Sequence, residues 1–371
     1  MLIGVPKEIK SQEFRVGLTP SSVGELIHSG HQVIVEKNAG SGIGLDDESY
    51  RRVGAVVVDT AEEIFTQADM IVKVKEPQPN ECRLLRPGQI LFTYLHLAPD
   101  TVQTELLLES GCIAIAYETV SDHHGRLPLL SPMSEVAGRM SIQAAAKCLE
   151  MVSGGKGLLL GGVVGVPPTK ILILGGGVVG SNALRVAVGM EADVTLMDVS
   201  LDRMREIDTL YGANVKTVYP TKDIIAEYIS KADVVIGAVL LPGAAAPRLV
   251  TREMVGTMSK GSVLIDVAID QGGCFETSQP TTHEKPVYLV DGVVHYCVAN
   301  MPAGVAKTST YALNNATLPF VLSLANKGHI KALQENVHLL NGLNIYEGQL
   351  TCEAVARAQH KAYTKASTIF E

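Results

Sequence analysis

Ile171-Leu172-Ile173-Leu174-Gly175-Gly176-Gly177-Val178-Val179-Gly180 is the stretch on which the reading of the fold turns. A short apolar run passes straight into G-x-G-x-x-G, and residues 181–189 after it are helix-compatible. Strand, glycine loop and helix in that order make a dinucleotide-binding turn. Gly175 permits the turn, Gly177 lets a pyrophosphate approach the backbone, and Gly180 allows helix and strand to pack closely. The helix start offers unpaired N–H groups and a partial positive charge to phosphates. The next apolar run, 194–197, ends at Asp198, 23 residues after Gly175, close to the spacing of an acid that binds ribose hydroxyls. A carboxylate there accepts from the 2′-hydroxyl and repels a 2′-phosphate, favouring NAD over NADP. Arg203 and Arg205 nearby weigh against that preference. The competing reading is a glycine turn that only packs a helix against a sheet.

Outward from this motif, whose strand run is 170–174, short apolar runs recur at 31–36, 55–58, 70–74, 90–95 and 112–117, and again at 193–197, 215–219, 233–239, 262–268 and 287–290. Runs of this length, separated by helix-like segments, suit parallel strands covered on both faces. The expected class is α/β, with two Rossmann-like domains built on parallel sheets. Residues 134–152 are rich in helix formers, with Ser134 placed as an N-cap and Gly154-Gly155 as a stop. The glycines at 154, 155, 157, 161, 162 and 165 fit a tight hairpin. A further helix is expected from about Lys307 to Asn326, stopping at Gly328, with Pro319 as a kink or restart. There the chain is expected to return to its first domain. That domain is then discontinuous, 1–128 with 307–371 for a substrate, and 129–306 holds the dinucleotide.

The 371 residues carry 31 Lys and Arg against 39 Asp and Glu, and the net charge of −8 gives no general reason to bind nucleic acid or an anionic membrane. With 46% hydrophobic and 19% charged residues, general disorder is excluded. Pro6, Lys7 and Glu8 interrupt any secretory h-region, and later apolar stretches are broken before they could span a bilayer. The six cysteines are scattered without a C-x-x-C pair, so neither a zinc cluster nor a disulfide scaffold is expected. Reduced thiols and a cytoplasmic location follow as the expectation.

In open parallel sheets ligands bind beyond the carboxyl ends of the strands. The polar residues just after apolar runs therefore become candidates: Lys75 and Glu76, His96, Glu118 and Asp270. A histidine, with a free pKa of about 6.5, exchanges protons readily at neutral pH, which suits His96 to general acid/base work. Lys75 can hold an anionic substrate as a point charge and Arg15 as a planar bidentate donor. Asp270 can orient an amine or a water. The bland alternatives are surface salt bridges, a structural imidazole and a helix cap. On the residues alone the reading stops at a nicotinamide-dependent enzyme with its substrate open.

Several longer blocks carry more information: Lys7-Glu8 with Arg15-Val16, Val72-Lys73-Val74-Lys75-Glu76-Pro77, Thr93-Tyr94-Leu95-His96, Ser131-Pro132-Met133-Ser134-Glu135, Asp266-Val267-Ala268-Ile269-Asp270-Gln271-Gly272-Gly273 and Ala299-Asn300-Met301-Pro302. Through these the chain resembles the bacterial alanine dehydrogenase family along essentially its whole length. The resemblance implies an NAD cofactor, reversible conversion of L-alanine to pyruvate and ammonia, and commonly a homohexamer. Position by position it implies that Arg15 and Lys75 bind the substrate carboxylate and that His96 and Asp270 are the catalytic pair. Around the cofactor it implies Ser134, Val178, Val179, Asp198, Arg203, Val239 and Leu240, then Val267, Ala268, Ile269 and Asp270, and Val298, Ala299, Asn300 and Met301. Pro220 and Gln279 depart from relatives that carry a serine and an arginine there. Ser323 and Lys327 replace a metal-binding Glu and His of some relatives, so no metal site is expected. Two other readings stand beside this one: the NAD-binding subunit of a transhydrogenase, and a non-catalytic NAD-binding protein.

Overall fold

In the computed structural model, which describes residues 1–239 and 246–370, the short β-branched runs become the strands of two sheets. The chain divides into two units, Met1–Met133 with Val305–Glu371, and Ser134–Gly304.

The first unit begins with β1 (Leu2–Val5), β2 (Gln32–Glu36), β3 (Val56–Val58), β4 (Met70–Val72), β5 (Ile90–Thr93) and β6 (Ile113–Ala116). All six pair in parallel, with β1 between β2 and β4. The chain therefore builds outward in both directions from β1, and the topological switch lies between β1 and β4. Sequence reading overlooked β1, because Leu2-Ile3-Gly4-Val5 is four residues long and broken by a glycine. That glycine is required: a Cβ at Gly4 would stand 2.5 Å from the Ile64 side chain and 2.8 Å from that of Ala68, so the helix Ala61–Gln67 and the residue after it lie directly on the strand.

The second unit holds β7 (Lys170–Leu174), β8 (Asp193–Met197), β9 (Val215–Val218), β10 (Val234–Gly237), β11 (Val263–Asp266), β12 (Val287–Val290) and β13 (Val293–Tyr296). Their order is β12-β13-β11-β10-β7-β8-β9, parallel except for β12. The switch point falls between β7 and β10, beside the glycine loop. Ile173, Leu184, Leu196 and Ile236 lie in the apolar layer between this sheet and its helices. Strand β13 was also overlooked, since His295 interrupts its apolar pattern. The imidazole is buried and shares a hydrogen bond of 2.8 Å with the Thr277 hydroxyl.

After residue 304 the chain rejoins the first unit, where β14 (Leu343–Tyr346) pairs antiparallel with β6 and with β15 (Gln349–Leu350). Two helix expectations are corrected. The helix Ser131–Cys148 starts ahead of Ser134, which is therefore not its N-cap; Pro132 sits in the first turn, where its missing N–H costs nothing. The helix Ala306–Glu335 runs through Pro319 without the expected kink or restart, while its one break, at Gly328 (φ 72°, ψ 161°), falls where the sequence placed the stop. Pro319 and Asn315, four residues before it, are both exposed, so the helix carries its proline on a solvent-facing side. The glycine-rich segment folds back only at its tip, where Val163 and Val166 bridge, and the remainder is irregular.

Candidate active site

The first unit gathers its candidates beyond the carboxyl ends of β1, β4, β5 and β6. Arg15, on the loop after β1, is buried and forms a two-pronged pair with Glu13: Nε and Nη2 each donate at 2.6 Å, and Nη1 stands 3.1 Å from Met133 Sδ. Burial disfavours its charge, but Glu13 more than compensates and holds the guanidinium above its ordinary pKa.

Lys75 lies on the turn after β4, and that turn is tied down by a buried charge cluster. Lys73, with none of its surface exposed, donates to Glu8 Oε2 at 3.2 Å and to Glu81 Oε1 at 2.7 Å. Glu8 Oε1 accepts the backbone N–H of Val74 at 2.7 Å and of Lys75 at 3.3 Å, and Glu81 Oε2 accepts that of Gln78 at 2.8 Å. Thr93, at the end of β5, donates to the Lys75 carbonyl at 2.9 Å. The turn is therefore held along its length, and the Lys75 ammonium lies 3.3 Å from Glu76.

His96 follows β5 in a left-handed conformation (φ 49°), and its ring stacks on Tyr94 with centroids 5.7 Å apart and planes 6° from parallel. The Tyr94 hydroxyl donates to the Leu129 carbonyl at 2.5 Å. Burial raises the phenol's pKa, and the Arg15 charge opposes the rise. Glu118, after β6, accepts the backbone N–H groups of both Leu95 and His96. Arg15, Lys75 and His96 thus lie on loops beyond the carboxyl ends of β1, β4 and β5, with Glu8 holding the Lys75 backbone and Tyr94 stacked on His96.

In the second unit the glycine loop has the form its sequence calls for. Gly175 has φ 100° and faces the Ala238 carbonyl, and a Cβ at Gly180 would lie 1.8 Å from the Gly175 oxygen. Gly177 has nothing within 4 Å of a Cβ position; it precedes the helix Val178–Gly189 without any side-chain cap. An open backbone face at an uncapped helix start fits a dinucleotide pyrophosphate. Asp198, directly after β8, accepts from Gly176 N at 2.6 Å and Ser200 N at 2.8 Å, so it also braces the glycine loop. Arg203 donates to the Gly176 carbonyl at 2.7 Å and bonds the Ser181 hydroxyl and Glu206.

The other expected cofactor residues in this unit also lie at or near strand ends. Val239 follows β10, Val267, Ala268, Ile269 and Asp270 follow β11, and Val298, Ala299, Asn300 and Met301 follow β13; Ser134 lies in the helix Ser131–Cys148. Leu240 lies outside the described residues. Asp270 is exposed, on the short turn Ile269–Gln271. Buried Asp266 brackets that turn, accepting from Ala268 N, Cys274 N and the Ser278 hydroxyl at 3.1, 2.8 and 2.5 Å. Among the described residues no group of three or more His, Cys, Asp or Glu could hold a metal ion, and no helix is long and apolar enough to cross a membrane.

Residues 4–137 match the N-terminal domain model of alanine dehydrogenase/PNT, and residues 141–353 match the C-terminal one. The chain belongs to the alanine dehydrogenase/PNT family. It is similar to an alanine dehydrogenase of Halomonas elongata, 54% identical over 369 residues with both chains covered completely. A solved L-alanine dehydrogenase superposes with a TM-score of 0.95 at 51% identity, covering 97% of this chain and 99% of that one. A transhydrogenase from Sinorhizobium meliloti reaches 0.83 at 26% identity, covering 95% and 100%. Two mostly parallel sheets on an alanine dehydrogenase framework confirm the α/β expectation.

In this member of the alanine dehydrogenase family, sequence reasoning missed the supporting shell: Glu13 behind Arg15, Lys73 with Glu8 and Glu81 beneath Lys75, and Asp266 beneath Asp270. One signal was available. Lys73 interrupts a run read as a strand buried on both faces, and a buried cation needs carboxylate partners.

Proposed function

We propose that this chain catalyses the reversible NAD-dependent oxidative deamination of L-alanine to pyruvate and ammonia. The observation that carries the reading is the 54% identity to an alanine dehydrogenase from end to end. Likeness to the transhydrogenase is lower in both identity and TM-score, which favours amino-acid oxidation over hydride exchange between two nucleotides.

The unit containing β1 to β6 takes the substrate, and the unit containing β7 to β13 takes NAD. Arg15 and Lys75 clamp the substrate carboxylate; Glu13 keeps the guanidinium charged and aligned, and Glu8 fixes the backbone that carries Lys75. The backbone at Gly175, Gly177 and Gly180, the helix start at Val178 and Val179, and Asp198 and Arg203 hold the dinucleotide's phosphates and adenosine ribose. Ser134, Val239, Leu240, Val267 to Asp270 and Val298 to Met301 complete its site.

NAD, when bound, supplies the acceptor for the hydride that leaves the alanine Cα. The substrate ammonium gives up a proton to solvent before the hydride leaves, and the substrate is then left as an iminium. His96 takes a proton from a water as its oxygen attacks the iminium carbon, passes it to the nitrogen of the carbinolamine so that ammonia departs, and takes up the hydroxyl proton as the carbonyl forms, releasing it to solvent. Asp270 accepts an N–H of the amine and orients it. The unit of function is a cytoplasmic homohexamer, a state that sedimentation of the purified protein measures directly.

The test is NADH absorbance on adding NAD with alanine, serine, glycine or 2-aminobutyrate, with NADP in parallel. Turnover is expected with alanine and NAD, and His96→Ala is expected to lower it by about 10²–10⁴-fold. NAD binding without turnover of any amino acid would defeat the proposal.

A further inference from the structure

Glu118 lies in the short turn Tyr117–Thr119 directly after β6, and β6 is the neighbour of β5, from whose end His96 projects. One carboxylate therefore reaches across the sheet edge to the adjacent loop. It accepts Leu95 N–H on both oxygens at 3.2 Å and His96 N–H at 2.6 Å. His96 is the residue in that loop with positive φ, a conformation that costs a side-chain-bearing residue free energy and persists only where its surroundings impose it. Two consecutive N–H groups aimed at one anion supply that constraint. The same carboxylate lies 3.9 Å from His96 Nδ1, outside hydrogen-bond distance but on that side of the ring. With Nδ1 turned to Glu118 and the ring face on Tyr94, Nε2 is the nitrogen left to serve a reacting group. The rest of the loop is held by uncharged groups: Gln103 Nε2 donates to the Leu95 carbonyl and Gln359 Nε2 to the Leu97 carbonyl.

We propose that Glu118 is the positioning residue of His96, imposing the left-handed turn through its backbone hydrogen bonds to Leu95 and His96 and so fixing where the imidazole stands. This rests on the reading of His96 as the proton carrier. The role differs from that of a turn cap, which would hold the loop whatever His96 did.

The test compares the full-length parent with E118Q, H96Q and the double variant, each checked for its melting transition and for NAD binding. Gln retains the shape and one acceptor oxygen but not the charge. E118Q is expected to lower kcat about 10²-fold while the alanine KM stays within about threefold. Its solvent deuterium effect on kcat is expected to rise, because proton transfer becomes slower than hydride transfer. In the H96Q background, assayed at high enzyme concentration, adding E118Q is expected to change kcat less than about threefold, since the residue through which it acts is gone. E118D, which restores the charge, is expected to recover part of the loss and gives the same comparison if E118Q does not fold. The proposal is overturned if E118Q retains parental kcat while H96Q is inactive, or if it lowers kcat equally in both backgrounds. H96Q with parental turnover would instead remove His96 from the reaction, and the role of Glu118 with it.

Discussion

A lysine without exposed surface needs counter-charge, and Lys73 has two carboxylates within 3.2 Å. Burial alone would pull its pKa down, yet Glu8 and Glu81 together carry it above the ordinary lysine value. Lys73→Met leaves both carboxylates buried without a cation and is expected to cost about 3–5 kcal/mol, read as a lower urea midpoint; adding Glu81→Gln should return part of it. Glu76 shows the opposite balance. Burial raises its pKa, but Lys75 and Lys10 together outweigh this and bring it below the usual glutamate value. Its stabilisation is therefore present above pH 4.5 and lost as pH falls through the lowered folded value. Glu76→Gln is expected to destabilise by about 1 kcal/mol at neutral pH, with the gap from the parent closing under acid, as followed by thermal melts across pH. The positions of Lys75, Glu76 and His96 after apolar runs were legible in the sequence. The pairing of Glu76 with Lys10 and of Glu118 with the His96 loop was not, because contacts between distant residues leave no periodic signal.

The glycine loop separates two uses of one residue type. A Cβ at Gly180 meets the Gly175 carbonyl, whereas at Gly177 it meets open space. Gly180→Ala is therefore expected to destabilise the second unit by several kcal/mol, seen as a lowered melting temperature. Gly177→Ala should leave melting within about a degree and weaken NAD binding at least tenfold, measured by calorimetry, because its methyl occupies the face a pyrophosphate needs. Equal effects at the two sites would mean that this loop serves packing alone. Among the elements, β7 and β8 were legible to the residue, since each is a continuous run between turn signals. The start of the helix Ser131–Cys148 was misplaced because Ser131-Pro132 and Ser134 are both acceptable openings locally. Strand β1 was hidden for a similar reason: four residues with a glycine carry too little pattern, although the strand lies in the middle of its sheet.

At the scale of the whole molecule, the return of the chain to its first unit has a structural use. Strand β14 covers β6 on the side away from β5, and Ile345 and Leu350 enter the same apolar cluster as Ala114 and Leu91. A chain ending at Gly342 lacks both closing strands and leaves β6 as an open apolar edge. It is expected to aggregate on light scattering, and a monodisperse, active product would show that the closing strands are dispensable. The sequence by itself determined the α/β class, the discontinuous course of the chain, the glycine-rich turn from strand to helix and the strand ends at which polar residues collect. Each of these is written in runs, spacings or motif blocks that neighbouring residues carry. Tertiary structure alone decided which carboxylate holds which loop. Glu8 meets Val74 66 residues away and Glu118 meets His96 22 residues away, and the partner of a buried charge is chosen by which strands the sheet order makes neighbours.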